Sequence, residues 1–262
     1  MVSTLVDIGA NLTHDTFDED RQDVLQRARD AGVTQVIVTG TSIDGSEKAL
    51  QLAREHDGLF ATAGIHPHHA DETSIEAMNR LETLSTDERV KAIGETGLDF
   101  FRDYSPRKDQ IASFEDHLAL AIKTRLPLFL HERDAWPVFT EVLRSCRNEL
   151  TNVVVHCFTG DQNALHAYLD LDCHIGITGW ICDERRGAHL IPLIRDIPDN
   201  RLMIETDAPY LLPRSIRPKP KSRRNEPYYL TVVCKAVASA RGETYDELAR
   251  QTSANAVRFF DI

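Results

Sequence analysis

Four residues of metal-ligand type each close a short apolar run: Glu95 follows VKAIG, His131 follows PLFL, His156 follows VVV and Asp207 follows LMIET. One carboxylate oxygen with two imidazole nitrogens is a donor set for a divalent cation, and three protein ligands leave positions for water and substrate. Glu95, His131 and His156 are therefore the candidate metal ligands of a hydrolytic site. Asp207 is a further ligand, or the base that orients the attacking water. A lone acid or imidazole after a strand is more often a cap or an ion-pair partner; the weight lies in finding four of them on the same end of four strands. Glu205, two residues before Asp207, faces the same side of an extended chain and is expected to be structural. In GIHPHH, His66 is near enough to the end of its run to touch substrate, His68 less so, and His69 reads as a solvated helix entry. Cys157 beside His156 does not make a nucleophile–base pair, because adjacent strand residues face opposite sides. Neither Gly-x-Gly-x-x-Gly nor a Walker phosphate loop occurs.

These side chains need strands whose carboxyl ends share one face. Eight β-branched or aliphatic runs recur, at 5–12, 35–41, 59–67, 90–99, 127–134, 153–158, 174–180 and 202–209. Their centres lie roughly 22–35 residues apart, about one strand–helix unit. Near-continuous apolar runs suit strands buried on both faces of a parallel sheet. Between them, Val24, Leu25 and Ala28 share a helix face that Gly32 is placed to end. Ile111, Phe114, Leu118 and Ile122 recur at helical spacing until Leu126-Pro127. Eight units with no linker predict a single (β/α)8 TIM barrel over 1–262, with an open doubly wound sheet as the rival. Barrel sites form at the carboxyl ends of strands, where Glu95, His131 and His156 can converge from three neighbouring strands. Two loops, DFFRDYSPRK and PRSIRPKPKSRRNEP, are long for such connections, and long loops in compact domains are often functional. The segments YYLTVVCKAVASA and TYDELARQTSANAVRFF read as closing helices on the barrel exterior.

Lys+Arg 30 against Asp+Glu 41 gives the 262-residue chain a formal charge of −11. That excludes a clamp held on nucleic acid by bulk positive charge and a basic membrane-surface binder. It leaves room for an enzyme that meets phosphates locally. Residues 214–224 hold six basic side chains and no acid, and without them 24 basic residues face 41 acidic ones, a balance of −17. Arg223 and Arg224, with Arg133 and Arg185, are candidate phosphate contacts. Phe100, Phe158, Trp180 and Tyr210 are candidates to stack on bases, although packing of the barrel rim explains each as well. No apolar run reaches the roughly 18–20 residues of a membrane span, and the N-terminus lacks a signal-peptide pattern. Five cysteines without a Cys-x-x-Cys pair predict reduced thiols in a cytoplasmic protein. No feature calls for an obligate protein partner, and a monomer is expected.

The motifs GIHPH, IGETGLDF, HERDA, VHCFTG, GITGW and ETDAPYLLPR, in this order, resemble those of the TatD family of metal-dependent deoxyribonucleases. The resemblance runs from Asp7 to Phe260, and GWICDERRG and KPKSRRNEP bring the chain close to the family's bacterial branch. It implies a TIM barrel of the metal-dependent hydrolase type that cleaves phosphodiesters with divalent cations. The shared metal ligands fall by analogy on Glu95, His131, His156 and Asp207. For the bacterial branch it implies a magnesium-dependent 3′→5′ exonuclease on single-stranded DNA or RNA.

One stretch departs from the family pattern. Most members open with Asp-x-His-x-His on the first strand, whereas this chain has Asp7-Ile8-Gly9-Ala10-Asn11. The expectation is one tightly held cation, or a second recruited only with substrate, and neither Gly9 nor Asn11 counts as a ligand. Two imidazoles suit Zn²⁺ or Mn²⁺ better than Mg²⁺, so Mg²⁺ is expected in activity and tighter binding for Zn²⁺ or Mn²⁺. The alternative reading is a metal-dependent amidohydrolase or lactonase on a small molecule. A non-catalytic interaction protein that lost the first-strand histidines is a distant third, disfavoured because Glu95, His131, His156 and Asp207 are all present.

Overall fold

The apolar runs become parallel strands in the computed structural model, which describes residues 4–262. Among the described residues the strands are β1 (Leu5–Ala10), β2 (Val33–Val38), β3 (Leu59–Ala63), β4 (Val90–Asp99), β5 (Leu128–Arg133), β6 (Val153–Val155), β7 (His174–Ile177) and β8 (Leu202–Ile204). They form one sheet in sequence order, and a parallel bridge between Ala10 and Ala208 joins its first and last members. Helices alternate with them: α1 (Arg21–Asp30), α2 (Ile43–Glu55), α3 (Ile75–Leu84), α4 (Arg107–Thr124), α5 (Trp136–Cys146), α6 (Gln162–Asp170), α7 (Leu190–Leu193), α8 (Leu230–Arg241) and α9 (Tyr245–Phe260). This is a (β/α)8 barrel, and the open doubly wound sheet falls away.

Contacts divide the chain into two compact units, one of Val38–His156 with Gln162–His174, the other of the chain up to Ile37 with Cys157–Asp161 and Ile175–Ile262. In the first, β4 is the element that matters for chemistry. Ile93 pairs with Leu128 but Thr96 with Leu130, so β4 carries one residue more than β5 over that span. A bulge of this kind re-aims side chains. Gly94 and Gly97 flank it at φ +137° and +136°, and a Cβ on either would lie 2.1 Å from the Phe129 carbonyl oxygen or 2.0 Å from that of His131. Only glycine allows this approach. Glu95 is thus inside a ten-residue strand that runs on to Asp99, and not at its end as the apolar run VKAIG predicts. The outer helices pack through aromatic rings: Phe114 stacks on Phe139 at 5.0 Å, and Tyr168 meets Phe139 edge-on at 5.6 Å. In α4 the buried face is Phe114, His117, Leu118 and Ala121, with Ile111 and Ile122 only half-buried, a rotation of the face expected from spacing.

In the second unit, α1 buries Val24, Leu25 and Ala28, and Gly32 follows at φ 88°. Helix α9 starts with a capping box, in which Thr244 and Glu247 satisfy each other's backbone N–H. It packs on β1 and β8, burying Leu248, Ala256, Phe259 and Phe260. Asp7, fully buried on β1, ties that strand to the segment after β8 by accepting the Thr206 N–H (2.9 Å) and hydroxyl (2.5 Å).

Candidate active site

Strands β4, β5 and β6 deliver Glu95, His131 and His156 to one point. His156 Nε2 lies 2.8 Å from Glu95 Oε1, and His131 Nδ1 lies 3.1 Å from the same oxygen. His66, three residues beyond β3, brings its Nε2 to 3.3 Å of it. Three imidazole nitrogens therefore face one carboxylate oxygen in a buried setting, with Glu95 5% and His156 4% exposed. Burial pushes the Glu95 carboxyl up, but the charges of His156 and His66 and hydrogen bonds from His131 and His156 outweigh it. The group lies well below the ordinary carboxylate range and stays ionised. One carboxylate oxygen with converging nitrogens suits a divalent cation. The candidate ligand atoms of His66, Glu95 and His131 all lie within 4.8 Å of one another.

The hydrogen bonds around each ring decide what it can do. His66 Nδ1 accepts the His68 N–H at 3.1 Å, which places the proton of the neutral ring on Nε2. Burial is the main force on this ring and lowers its pKa to about 4, against the pull of Glu95, so it is neutral near pH 7. A neutral imidazole with Nε2–H donates to an anion and has no lone pair there for a metal. His66 is built as a donor, although its position alone makes it a member of the cluster. His131 is the reverse case. Its Nε2 donates to Asp99 Oδ2 at 3.3 Å and its Nδ1 to Glu95 Oε1 at 3.1 Å, so without a cation the ring carries a proton on both nitrogens, and a cation beside Glu95 would replace the Nδ1 proton while Asp99 keeps the Nε2–H. Burial works against charge on His131, but the hydrogen bonds to Asp99 and Glu95 prevail and raise its pKa.

Asp99 is the residue that sequence reasoning missed. Its Oδ2 also accepts from His68 Nε2 at 2.8 Å, while its Oδ1 accepts the N–H groups of Phe101 (3.1 Å) and Arg102 (2.7 Å). Burial alone would raise this carboxyl, yet the bonds from His131, His68 and the Arg102 N–H hold it far below the usual range. The available signal was its even spacing from Glu95 at the end of the same apolar run.

Asp207 lies three residues past β8, half-buried, in the left-handed region at φ 55°. Its N–H donates to the Gly9 carbonyl at 2.8 Å, and its Oδ1 accepts Asn11 Nδ2 at 3.0 Å. Asn11 thus turns its amide N–H to a carboxylate. Glu205 is fully buried and accepts the Cys157 N–H at 2.5 Å, a structural tie. Of the candidate phosphate contacts, Arg223 is exposed and Arg133 stands over the Phe101 ring at 4.7 Å. Arg224 is different. Its guanidinium holds Asp20 at 2.7 and 2.8 Å, Glu226 at 2.8 Å and the Thr16 carbonyl at 2.6 Å. A guanidinium so occupied is a fastener of this unit, and Arg224 leaves the set of phosphate contacts. Phe158 is buried, Arg107 covers Phe100 at 4.4 Å and Arg186 covers Trp180 at 4.2 Å. Of the four candidate stacking rings, Tyr210 is 51% exposed.

The family model for TatD-related DNases matches residues 6–261. The chain belongs to the TatD-related DNase family. It is accordingly a hydrolase of the nuclease class. A TatD-family relative from Pantoea ananatis, named 3′-5′ ssDNA/RNA exonuclease TatD, is 48% identical over 259 residues, covering 98% of this chain and all of the relative. Among solved structures, the TatD homologue YJJV of Escherichia coli K12 superposes with a TM-score of 0.91 at 28% identity, covering 100% of both chains. A TatD-family hydrolase from Entamoeba histolytica gives 0.88 at 26% identity, covering 99% of each chain. Among the described residues no helix is long and apolar enough to cross a membrane.

Proposed function

We propose that this chain is a metal-dependent 3′→5′ exonuclease on single-stranded DNA or RNA, acting as one hydrolase domain over 1–262 and as a monomer. The observation that carries the reading is the convergence of imidazole nitrogens on Glu95 Oε1, in a chain whose relative at 48% identity bears that name. Glu95, His131 through Nδ1 and His156 through Nε2 would hold the cation, with Mg²⁺ as the working ion and Zn²⁺ or Mn²⁺ bound more tightly. When bound, the cation supplies Lewis acidity toward a phosphoryl oxygen and toward water.

The rest of the chemistry belongs to the chain. Asp99 takes the Nε2–H of His131 and fixes the tautomer that turns Nδ1 to the cation, the role carboxylates commonly play behind metal-bound imidazoles. His66 donates its Nε2–H to a phosphoryl oxygen, a donor kept uncharged by burial. Asp207, its carboxylate steadied by the Asn11 amide, is the proposed acceptor of the attacking water's proton, and Arg133 and Arg223 are the proposed phosphate contacts. Five cysteines without a Cys-x-x-Cys pair support a reducing compartment, the cytoplasm.

The test is digestion of single- and double-stranded oligonucleotides labelled at one end, in Mg²⁺, Mn²⁺ or Zn²⁺. A 5′-labelled single strand should shorten stepwise from its 3′ end. Internal cuts at early times, or turnover of lactones or amides in place of nucleic acid, would overturn the reading.

A further inference from the structure

The loop between β4 and α4 exposes two aromatic rings that no packing requirement explains: Phe101 is 55% and Tyr104 67% exposed. Arginines are threaded among them. Arg133 lies 4.7 Å and Arg102 5.6 Å from the Phe101 ring centre, and Arg107, paired with Asp103 at 3.1 Å, covers Phe100. Residues 100–108 carry Arg102, Arg107 and Lys108 against the single acid Asp103, a local excess of positive charge on a chain of net charge −11.

This ledge is fixed in register with the histidine cluster. Tyr104 packs on His68 with ring centres 4.7 Å apart, and His68 lies 6.3 Å from His131. Asp99 makes the connection rigid: one oxygen receives the N–H groups of Phe101 and Arg102, and the other faces His68 and His131. Ser105, buried beneath the ledge, shares its one hydroxyl proton between the His68 carbonyl (3.0 Å) and the Asp71 carboxylate (2.9 Å), and Gln110 donates to the Ser105 carbonyl (2.8 Å). The exposed rings thus sit on a braced loop. A braced apolar face interleaved with guanidinium groups matches a nucleobase carried on a phosphate backbone: rings stack on any base, and arginines meet phosphates or stack in turn.

We propose that Phe101 and Tyr104 form a base-stacking platform for the nucleotide next to the scissile phosphate, with Arg102 and Arg133 on its backbone. The proposal rests on the nuclease reading and adds the part of the substrate the protein grips: an unstacked base, read without regard to its identity. A duplex end, whose bases are stacked on each other, would engage it poorly.

The test uses the full chain and three substrates: a single-stranded oligonucleotide, the same length with abasic sites over its last nucleotides, and bis(p-nitrophenyl) phosphate, whose turnover by each variant reports the fold. The quantity read is the ratio of kcat/KM on the normal strand to that on the abasic strand. In Phe101→Ala/Tyr104→Ala this ratio should drop roughly 10–100-fold, carried by KM, while Phe101→Trp and Tyr104→Trp retain it. If the wild type degrades oligonucleotides and the double alanine variant keeps the wild-type ratio within twofold, the platform falls and the nuclease reading stands. If the wild type turns over the small diester but no oligonucleotide, both fall. Self-association by light scattering that vanishes in the double variant, with the ratio unmoved, would reassign the ledge to protein contact.

Discussion

Asp99→Asn separates a positioning role from mere proximity, because every group around this carboxylate is a donor. Phe101 N–H and Arg102 N–H meet Oδ1, and His68 Nε2 and His131 Nε2 meet Oδ2, in a side chain 2% exposed as a residue. An amide offers one oxygen and one NH₂, so it can satisfy only one of the two pairs. With the NH₂ toward the histidines, His131 must move its proton to Nδ1, the atom required for the cation. With the NH₂ toward the loop, two backbone N–H groups lose their acceptor, at about 1–3 kcal/mol for each buried group left unpaired. The first arrangement spares the backbone and should prevail. Loss of a hydrogen-bond partner behind a metal-bound imidazole costs roughly 10–100-fold in metal affinity, equivalent to about 1.4–2.8 kcal/mol. Calorimetric titration of the apo protein with Zn²⁺ and Mn²⁺ measures this directly, with thermal melting to show that the fold persists. A dissociation constant within twofold of wild type would refute the assignment of Asp99 as the residue that sets the His131 tautomer.

Three further outcomes are expected. His131→Ala/His156→Ala should abolish metal-dependent nuclease activity while leaving the circular dichroism spectrum unchanged; undiminished digestion would remove both residues from the site. Asn11→Ala deletes the amide that meets Asp207 Oδ1 and should lower kcat about tenfold, the scale of one lost charge-assisted hydrogen bond, with KM for the oligonucleotide little changed. His117 is buried neutral, accepting the Ile65 N–H at Nε2 and facing the Ser113 carbonyl through Nδ1, and burial lowers its pKa to about 4 from 6.5. The unfolded chain therefore binds the extra proton between these values, so this residue costs stability as pH falls from 6.5 toward 4. At pH 5 its contribution is about 2 kcal/mol, and urea melts at pH 7 and pH 5 should show a smaller difference in His117→Gln than in wild type.

Much of this molecule was legible from residue type and spacing. The eight apolar runs correspond one for one to β1–β8, because strands buried on both faces must be nearly continuous in apolar residues. Glu95, His131 and His156 stood out as polar residues attached to such strands. What escaped depends on partners distant in sequence. The position of Glu95 within β4 follows from a bulge and from Gly94 and Gly97 lying against the β5 backbone, none of which the run VKAIGETGLD declares. Arg224 was a candidate phosphate contact in a basic segment, yet its acids include Asp20, 204 residues away. The tautomer of His66 depends on a backbone N–H two residues on, a geometric fact that composition does not carry. Asp99 was written into the same strand as Glu95, but its importance appears only when His68 and His131 arrive from β3 and β5.

In the proposed site Glu95, His131 and His156 hold the cation on which nuclease activity depends. Anomalous diffraction from a crystal soaked in Zn²⁺ and measured at the zinc edge tests it most directly. A peak is expected about 2.0–2.2 Å from a Glu95 carboxylate oxygen, His131 Nδ1 and His156 Nε2, with His131 Nε2 still against Asp99. A peak on His131 Nε2 and Asp99, or a peak absent at Glu95 from an enzyme that remains active, would contradict it.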